Sequence, residues 1–497
     1  MENRDCPAGA SCLLDGSGGG GCSIDVDLSC ETGVGRACAG GLACVSDRCE
    51  RTCSTASDCP LDGECRPVSG GATSFCFDPR RTADAGAADG GDGGVGPDAG
   101  IESVPVVDVC ISSVLTCAVG QDTRVRCWGE GNNGALGHGD ETSSTVPVAV
   151  LQADGVTPLE RADHVVCGLG FGCAHLTSGE VVCWGDGSFG QLGAHRGVGF
   201  VADAVRTSTD EAVTASVGRL SASGAHVCVL DTADHVVCWG ENAGLIDDVM
   251  PASAILPPRV PSALVGVLDV DEILVAETGG CVKRANETVA CWGGNEWGEA
   301  ARTPSRIFEP LATVDVGGSP FEIAAGARHR VVHLVGAADP LRAWGFNHSS
   351  QLGLPWDLPG GRCADGASMG CFPMPQDPTT RLPAMRTIGA GGEASCGVLA
   401  GATGAVMGHV RCWGENLSGH AGWPGAPDST LASRDVEYED GSPVEGADRV
   451  IVGPTSACAI LVDHSLVCWG SNASGQLARP ADSGLHRASR VTIPSIP

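Results

Sequence analysis

The sequence predicts an all-β protein, a seven-bladed β-propeller of four-stranded blades preceded by a small cysteine-rich disulfide module. Three observations in the 497 residues support this prediction: a Trp-Gly pair recurs seven times, its spacing is nearly regular, and a cysteine precedes most of these tryptophans. The steps between consecutive repeat tryptophans are 56, 55, 53, 52, 69 and 56 residues. A unit slightly above 50 residues indicates a repeat architecture. The repeat tryptophans are Trp128, Trp184, Trp239, Trp292, Trp344, Trp413 and Trp469.

Each repeat unit contains a short strand, a turn and a second strand that ends in Cys-Trp-Gly, as in residues 173–185. Three positions after each tryptophan stands Asn or Gly, which we expect to adopt a left-handed turn conformation. A further strand rich in Val and Pro follows, as in residues 145–150. No segment has the 3.6-residue apolar period of paired helices, so a helical solenoid is excluded. Four short strands in each of seven units predict propeller blades, with the tryptophans packed between neighbouring blades.

The composition divides the chain into three regions. Residues 1–78 hold 11 of the 27 cysteines and have little apolar content, which predicts a cysteine-rich disulfide module. Residues 79–100 are mostly Ala, Gly and Asp, which predicts a disordered linker. Residues 101–497 form the predicted propeller. Its chain enters at an inner strand, 106–110, and leaves at an outer one, 490–493, so we expect the first and last blades to meet by packing alone.

The charge balance and the motifs limit the function classes. Sixty acidic residues face 30 Lys and Arg, a net charge of −30, which disfavours nucleic acid and anionic lipid as partners. No run of about 20 apolar residues predicts a membrane span, although a lipid anchor on a longer precursor is compatible with the sequence. No catalytic set, cofactor motif or metal-ligand spacing stands out from the repeats. We therefore expect a protein that is not an enzyme, has no cofactor and is a monomer.

Paired cysteines are the most informative chemistry in the propeller region. Five pairs are ten residues apart, and the sixth unit has its two cysteines sixteen apart. The fifth unit has Val331 and Ala343 at both positions, and joint loss is what a bonded pair predicts. Opposed positions in a hairpin bring Cα atoms about 4.5 Å apart, close enough for a disulfide. The predicted disulfides are Cys117–Cys127, Cys173–Cys183, Cys228–Cys238, Cys281–Cys291, Cys396–Cys412 and Cys458–Cys468.

Disulfides predict an oxidising location, namely the periplasm, the cell surface or the extracellular space. No signal peptide follows Met1, so we expect the true start to lie upstream, with a partner for the odd cysteine of the head. Cys110 or Cys167 is the rival partner for that odd cysteine. These two cysteines could equally bond each other between inner strands of adjacent blades, and the sequence leaves the choice open.

A long insertion breaks the repeat spacing between Leu354 and Pro383, and we assign it to the sixth unit. It carries Trp356, Phe372 and a predicted local bridge, Cys363–Cys371. Large apolar side chains on a bridged loop are typical of a recognition surface, and a tolerated surface loop is the alternative. Trp297 and Trp423 lie in corresponding segments after repeat tryptophans. The candidate partner-binding residues are therefore Trp356, Phe372, Trp297 and Trp423.

The run Trp-Gly-x-Asn-x-x-Gly-Gln-Leu-Gly resembles the regulator of chromosome condensation repeat family over residues 101–497. Gly190-Gln191-Leu192-Gly193 and Gly475-Gln476-Leu477 carry the resemblance. The family includes a nuclear exchange factor for a small GTPase, a plant light receptor and secreted bacterial inhibitors of β-lactamase. The cysteine pairs make the secreted bacterial members the most similar in style, and the head resembles small disulfide modules of bacterial surface proteins.

The resemblance specifies the fold better than the function. It implies an extracellular or cell-surface binding protein that uses a propeller face to hold a protein or glycan partner. A guanine-nucleotide exchange factor and a propeller hydrolase are the alternatives. The third and fourth units depart from the pattern after their tryptophans, at Leu245 and at Glu299 and Ala300.

Overall fold

The structure of the protein is a computed structural model. Six short strands are described within the first 78 residues, and the propeller region is described over most of its length. The described part of the propeller region is 103–496 without 194–196, 207–210, 217–219, 243–245, 249, 251–252, 268, 336–340, 367–368, 379–381, 401–407 and 423–428.

The chain divides into two compact units, Met1–Asp98 and Ala99–Pro497. The first unit has a two-stranded antiparallel sheet and a four-stranded sheet in the order β3-β4-β6-β5. Its strands are β1 (Ser11–Leu14), β2 (Gly20–Ser23), β3 (Leu42–Val45), β4 (Arg48–Cys53), β5 (Glu64–Pro67) and β6 (Ser74–Phe77). The predicted linker 79–100 and the disulfide connectivity of the head lie outside the described residues.

The second unit contains seven antiparallel sheets, each made from consecutive strands, which we number blades 1 to 7. Blade 1 is β7 (Val106–Ile111), β8 (Leu115–Gly120), β9 (Val125–Gly129) and β10 (Ser144–Ala149). Blade 2 is β11 (Ala162–Gly168), β12 (Phe171–Leu176), β13 (Val181–Asp186) and β14 (Val198–Ala204). Blade 3 is β15 (Leu220–Ser223), β16 (His226–Leu230), β17 (Val236–Glu241) and β18 (Ile255–Arg259). Blade 4 is β19 (Val270–Val275), β20 (Gly279–Arg284), β21 (Val289–Asn295) and β22 (Ser305–Val314).

Blade 5 has five strands, in the spatial order β23-β24-β25-β27-β26. They are β23 (Pro320–Ala325), β24 (His329–Leu334), β25 (Leu341–Phe346), β26 (Gly361–Arg362) and β27 (Met369–Gln376). Blade 6 is β28 (Met385–Gly391), β29 (Ala394–Leu399), β30 (Val410–Glu415) and β31 (Ser429–Asp435). Blade 7 is β32 (Ala447–Val452), β33 (Ser456–Leu461), β34 (Leu466–Ser471) and β35 (Leu485–Val491).

The first strand of each blade is its innermost strand, and the first strands of neighbouring blades contact one another around a closed ring. We call the strands of a blade A, B, C and D from the axis outward. Because neighbouring strands are antiparallel, the A–B and C–D loops of all blades emerge on one face, which we call the AB/CD face. The prediction of an all-β, seven-bladed propeller is confirmed.

The repeat tryptophans pack between neighbouring blades, as the sequence predicts. All seven side chains are at most 1% exposed. Five of the indole N–H groups donate to a backbone carbonyl in the C–D loop of the preceding blade, at 2.8–3.0 Å. The pairs are Trp128 with Gln476, Trp239 with Gln191, Trp344 with Glu299, Trp413 with Gln351 and Trp469 with His420. These five tryptophans therefore fix their own blades to the preceding ones.

The prediction that the Asn or Gly three positions after tryptophan takes a left-handed conformation is wrong. At Gly131, for example, φ is −101°. Positive φ falls instead on the glycine directly after the tryptophan, such as Gly345 at 105°, where a Cβ atom would lie 2.4 Å from the Arg328 carbonyl oxygen. The Asn acts through its side chain: the Asn347 Oδ1 accepts the Leu352 N–H at 3.0 Å. In the units that carry Asn, the side-chain amide thus holds the C–D loop in place.

The propeller is closed by hydrogen bonds and not by packing alone, in contrast to the sequence expectation. The Val104 N–H donates to the Ile493 carbonyl at 2.8 Å, and the Ile493 N–H donates to the Ser103 hydroxyl at 3.0 Å. The guanidinium of Arg126, in strand C of blade 1, donates to the Pro494 carbonyl at 2.8 Å. Residues on both sides of the blade region therefore meet and clasp blade 1 to blade 7.

Disulfide bonds are present, as the sequence predicts. Six of them join strands B and C within a blade, with Cα atoms 4.0–4.1 Å apart, and they are the six cysteine pairs of the repeats. A seventh, Cys363–Cys371, lies in blade 5, and an eighth, Cys110–Cys167, joins the A strands of blades 1 and 2. The latter answers the question that the sequence leaves open. No helix among the described residues has the length and apolar character needed to cross a membrane.

Candidate functional site

The insertion between Leu354 and Pro383 belongs to blade 5 and not to the sixth unit, to which we assigned it from the spacing. It extends the C–D loop of blade 5 and forms the outermost strand, β26, which pairs with β27. The Cys363–Cys371 disulfide joins the segments on which these two strands lie, and both cysteines are buried. The insertion is therefore a braced extension of the blade on the AB/CD face.

The candidate residues of the insertion differ in exposure. The side chain of Trp356 is 63% exposed. Phe372 is half-buried and packs against a core cluster of blades 5 and 6 that includes Leu354 and Trp413. The structure therefore presents Trp356 as an exposed group and uses Phe372 to anchor the insertion. Trp423 lies outside the described residues.

Trp297 lies in the C–D loop of blade 4 and belongs to an aromatic cluster at the start of the insertion. Its ring centroid is 4.7 Å from that of Phe346, the last residue of strand C in blade 5. The Arg328 guanidinium, from the A–B loop of blade 5, lies 4.5 Å from the centre of the Trp297 ring. The Cys363–Cys371 disulfide packs against Phe346 in the same cluster. Trp297 and the braced insertion thus share one part of the AB/CD face.

Carboxylates surround this aromatic cluster. Glu393, in the A–B loop of blade 6, lies 3.5 Å from Arg328 and accepts a hydrogen bond from the Gln351 amide. Burial raises the pKa of Glu393 to about 7, and repulsion by Glu415 and Glu277 adds to the effect of burial. Part of the glutamate population is therefore protonated near neutral pH, which weakens its compensation of Arg328.

Glu299 holds the loop of Trp297 in place. Its carboxylate accepts the Trp297 N–H at 2.7 Å and the Thr278 hydroxyl at 3.1 Å. Burial raises the pKa of Glu299 in spite of these bonds and of the charge of Arg330. Glu299 occupies the position that carries Gln in other units. The fourth unit departs from the repeat sequence here, but the Glu299 carboxylate makes the same hydrogen bond to the loop as the Gln side chain does elsewhere.

A cavity of about 560 Å³ runs along the propeller axis and is lined by residues of all seven A strands. The Asp108 carboxylate lies 2.6 Å from the His164 ring and 3.3 Å from the Arg449 guanidinium. Burial by itself raises the pKa of Asp108, but His164 and Arg449 outweigh it, so the pKa lies below its usual value. These charges join blades 7, 1 and 2 around the axis and stabilise the ring.

The sulfur atoms of Cys110, Cys117 and Cys167 lie within 4.8 Å of one another. All three are engaged in disulfides, so they offer no thiolate for a metal ion. The chemistry of the described cysteines is therefore that of bridges.

Sequence reasoning missed Arg328, Phe346, Glu393 and Glu299 as parts of this site. They come from separate loops of blades 4 to 6, and the repeat places them on one face only after folding. The replacement of the usual polar residue by Phe346, two positions after Trp344, was the available signal, because no other unit has an aromatic side chain at this position.

The comparisons with known proteins agree with the propeller fold. Models of the regulator of chromosome condensation (RCC1) repeat match residues 123–174 and 162–191. The chain is 33% identical over 90 residues to human E3 ubiquitin-protein ligase HERC2, covering 18% of this chain and 2% of that protein. It is 26% identical over 232 residues to the ultraviolet-B receptor UVR8 of Arabidopsis thaliana, covering 46% of this chain and 50% of the receptor. The matches thus span half or less of these relatives.

Solved structures show the same fold at low sequence identity. Human WBSCR16 superposes with a TM-score of 0.59 at 18% identity, covering 75% of this chain and 95% of that one. Prp20p of Saccharomyces cerevisiae superposes with a TM-score of 0.56 at 19% identity, covering 69% and 80%. The repeat models and the seven blades lead to the same conclusion: the chain matches the regulator of chromosome condensation repeat over residues 123–191 and has the fold of propellers built from such repeats.

Proposed function

We propose that this protein is an extracellular or cell-surface binding protein that holds a protein partner on the AB/CD face of blades 4 to 6. The observation that carries the proposal is Trp356, a large apolar side chain 63% exposed on an insertion that a disulfide and a packed Phe372 hold in place. An exposed aromatic residue on a rigid support loses little conformational entropy on binding and is typical of binding hot spots.

The disulfides support the location. Eight bridges among the described residues, seven of them within blades, require an oxidising environment for their formation. In this proposal the chain acts as a monomer and catalyses no reaction. The shifted carboxylates of the site support this reading, because Glu299 and Glu393 are engaged in bonds that hold loops and neighbouring blades.

A site-specific crosslinking experiment tests the proposal. A photoreactive amino acid replaces Trp356 in one variant and Val462 in another, because Val462 is 65% exposed and lies in a B–C loop on the opposite face. Each variant is incubated with the medium and the surface fraction of the source cells and is then irradiated. We expect a discrete crosslinked protein from position 356 and none from position 462.

Binding measurements with the crosslinked protein complete the test. We expect Trp356→Ala to weaken its binding by about 2 kcal/mol, while Val462→Ala leaves it unchanged. Equal crosslinking from both positions would contradict the proposal. Recovery of a small GTPase whose nucleotide release the chain accelerates would replace the proposal with the exchange-factor alternative.

A further inference from the structure

A cavity of about 400 Å³ opens beside Trp297, between the C–D loop of blade 3 and the C–D loop and D strand of blade 4. It is separate from the axial cavity and lies on the AB/CD face. Its volume is near the lower end of the range of ligand pockets, about 300–1,000 Å³, so it suits one large side chain or a small molecule. The residues that matter for its chemistry are Asp248, Met250, Glu296, Trp297, Ile307 and Phe308.

Apolar side chains form the walls and the rim of this cavity. Ile307 is 68% exposed and Met250 is 46% exposed, whereas Phe308 packs against the core of blades 3 and 4. Trp297 is half-buried, with Phe346 and Arg328 packed against it. Exposed large apolar groups at the mouth of a cavity are typical of a surface that another molecule covers.

The charge of the cavity is negative. Four carboxylates line it, those of Asp247, Asp248, Glu296 and Glu299, against one guanidinium, that of Arg306. Asp247 is paired with Arg259 at 3.1 Å and burial raises the pKa of Glu299, so Asp248 and Glu296 carry the charge at the rim. Glu296 and Arg306 lie 3.4 Å apart, and both are exposed. Asp248 is exposed at the rim. A cationic group that enters the cavity therefore meets complementary charge at the rim and an aromatic ring in the wall.

The walls of the cavity are preformed. The Asn242 Oδ1 accepts the Asp247 N–H at 2.8 Å and so fixes the blade 3 loop. On the other side, the Asn295 Oδ1 accepts the Ala300 N–H at 3.0 Å, and Glu299 accepts the Trp297 N–H. A preformed cavity lowers the entropic cost of binding.

We propose that this cavity binds an arginine side chain of the partner protein, an inference that rests on the proposed function. The guanidinium lies against the Trp297 ring and donates hydrogen bonds to the carboxylates of Asp248 and Glu296, while its alkyl stem contacts Met250 and Ile307. Arginine fits better than lysine, because its planar guanidinium stacks on aromatic rings and pairs with carboxylates through two parallel hydrogen bonds. The proposal therefore predicts that the partner protein presents a protruding arginine on a short segment of chain.

Two pentapeptides test the assignment without the natural partner. One is Ala-Ala-Arg-Ala-Ala with blocked ends, and the other has citrulline, which is neutral and nearly the same shape, in place of arginine. Binding of each to the full chain is measured by isothermal titration calorimetry at low and high salt. We expect saturable binding of the arginine peptide, at least about tenfold weaker binding of the citrulline peptide, and loss of affinity at high salt.

Three variants locate the binding. The double variant Asp248→Asn and Glu296→Gln is expected to weaken binding of the arginine peptide about tenfold, and Trp297→Leu to weaken it by a similar factor. Glu180→Gln, an exposed carboxylate in a B–C loop on the opposite face, is the matched control and leaves the affinity unchanged. Circular dichroism establishes whether each variant is folded. If Trp297→Leu is unfolded, the double variant alone decides the test.

Equal affinity for the two peptides, or binding that the double variant does not weaken, overturns the assignment. Its failure is distinct from failure of the proposed function, because crosslinking from position 356 uses no peptide. If position 356 crosslinks to a partner but the arginine peptide does not bind, only this inference fails. If the peptide binds but position 356 yields no crosslinked protein, the proposed function fails.

Discussion

Blade 2 and blade 5 are built on the same register but are stabilised differently. In blade 2 the opposed positions of strands B and C hold the Cys173–Cys183 disulfide, whereas in blade 5 they hold Val331 and Ala343. All four residues are buried. Because the strand pairing is the same in both blades, the disulfide is not needed to set the register. It adds stability to a pairing that hydrophobic side chains also specify.

The two blades also differ at the position before the first of these residues. Gly172 in blade 2 leaves room for the Trp184 ring, since a Cβ atom there would lie 2.6 Å from a ring carbon. In blade 5 the same position is Arg330, fully buried, with its guanidinium donating to the Gly326 and His329 carbonyls. At this position blade 2 therefore buries no charge, whereas blade 5 buries one. Blade 5 also carries the insertion and part of the aromatic cluster, so these departures from the repeat lie near the candidate site.

Replacement of the blade 2 disulfide by the Val and Ala pair of blade 5 gives the largest expected change in stability. The double variant Cys173→Val and Cys183→Ala should lower the free energy of unfolding by about 2–3 kcal/mol, because the unfolded chain regains loop entropy. Urea unfolding followed by circular dichroism measures this, and an unchanged native spectrum shows that the register is kept. Loss of the native spectrum in the absence of urea would mean that the disulfide does set the register.

The buried acid beside blade 5 should make its stability depend on pH. With its pKa raised from 4.5 to about 7, Glu393 binds a proton in the folded state that the unfolded state has already lost. The free energy of unfolding therefore falls as pH rises from 4.5 to 7, by about 2–3 kcal/mol for this group. We expect Glu393→Gln to remove this decrease, which urea unfolding at pH 5 and pH 8 measures. A decrease of the same size in Glu393→Gln would assign it to another group.

The reverse conversion of blade 5 should give a smaller gain. The variant Val331→Cys and Ala343→Cys places a disulfide in the register that the other blades use, and should raise the free energy of unfolding by about 1–2 kcal/mol. The gain is smaller than the loss in blade 2 because a new bridge has not been fitted to its surroundings. Comparison of oxidised and reduced forms of the variant isolates the effect of the bridge, and no difference between them would contradict the prediction.

The smallest effect concerns His420, which stands where three other units have Gln191, Gln351 or Gln476. Those amides accept a backbone N–H two residues earlier, for example that of Phe189 at 2.8 Å. Both ring nitrogens of His420 are buried without a hydrogen-bond partner, and burial lowers its pKa to about 4. His420→Gln should therefore stabilise the fold by about 1 kcal/mol at pH 7. Thermal unfolding measures it, and a lower melting temperature would show that the loop does not accept the repeat geometry.

The sequence predicts those features of the fold that recur within a single repeat unit. Tryptophan spacing predicts seven blades, and the joint absence of two cysteines at Val331 and Ala343 predicts bonded pairs elsewhere. Features that depend on contacts between units are not predictable in this way. The stacking of Arg328 on Trp297, for example, joins loops of different blades. The insertion was assigned to the wrong unit because the distance between two tryptophans does not show whether extra residues belong to the end of one blade or to the start of the next.

The clasp at Ile493 bears on the order in which the protein folds. The Val104 to Ile493 hydrogen bond joins residues at opposite ends of the propeller region, whereas the paired residues of strands B and C are at most about 20 residues apart. Contacts that are close in sequence form first, so single blades can be nearly complete before the ring is shut. Until then the outer surfaces of blades 1 and 7 are exposed to other chains, and hairpin disulfides hold six of the seven blades together during that interval. Ring closure is thus a late step of folding, and it ends the period in which blades 1 and 7 can pair with other chains.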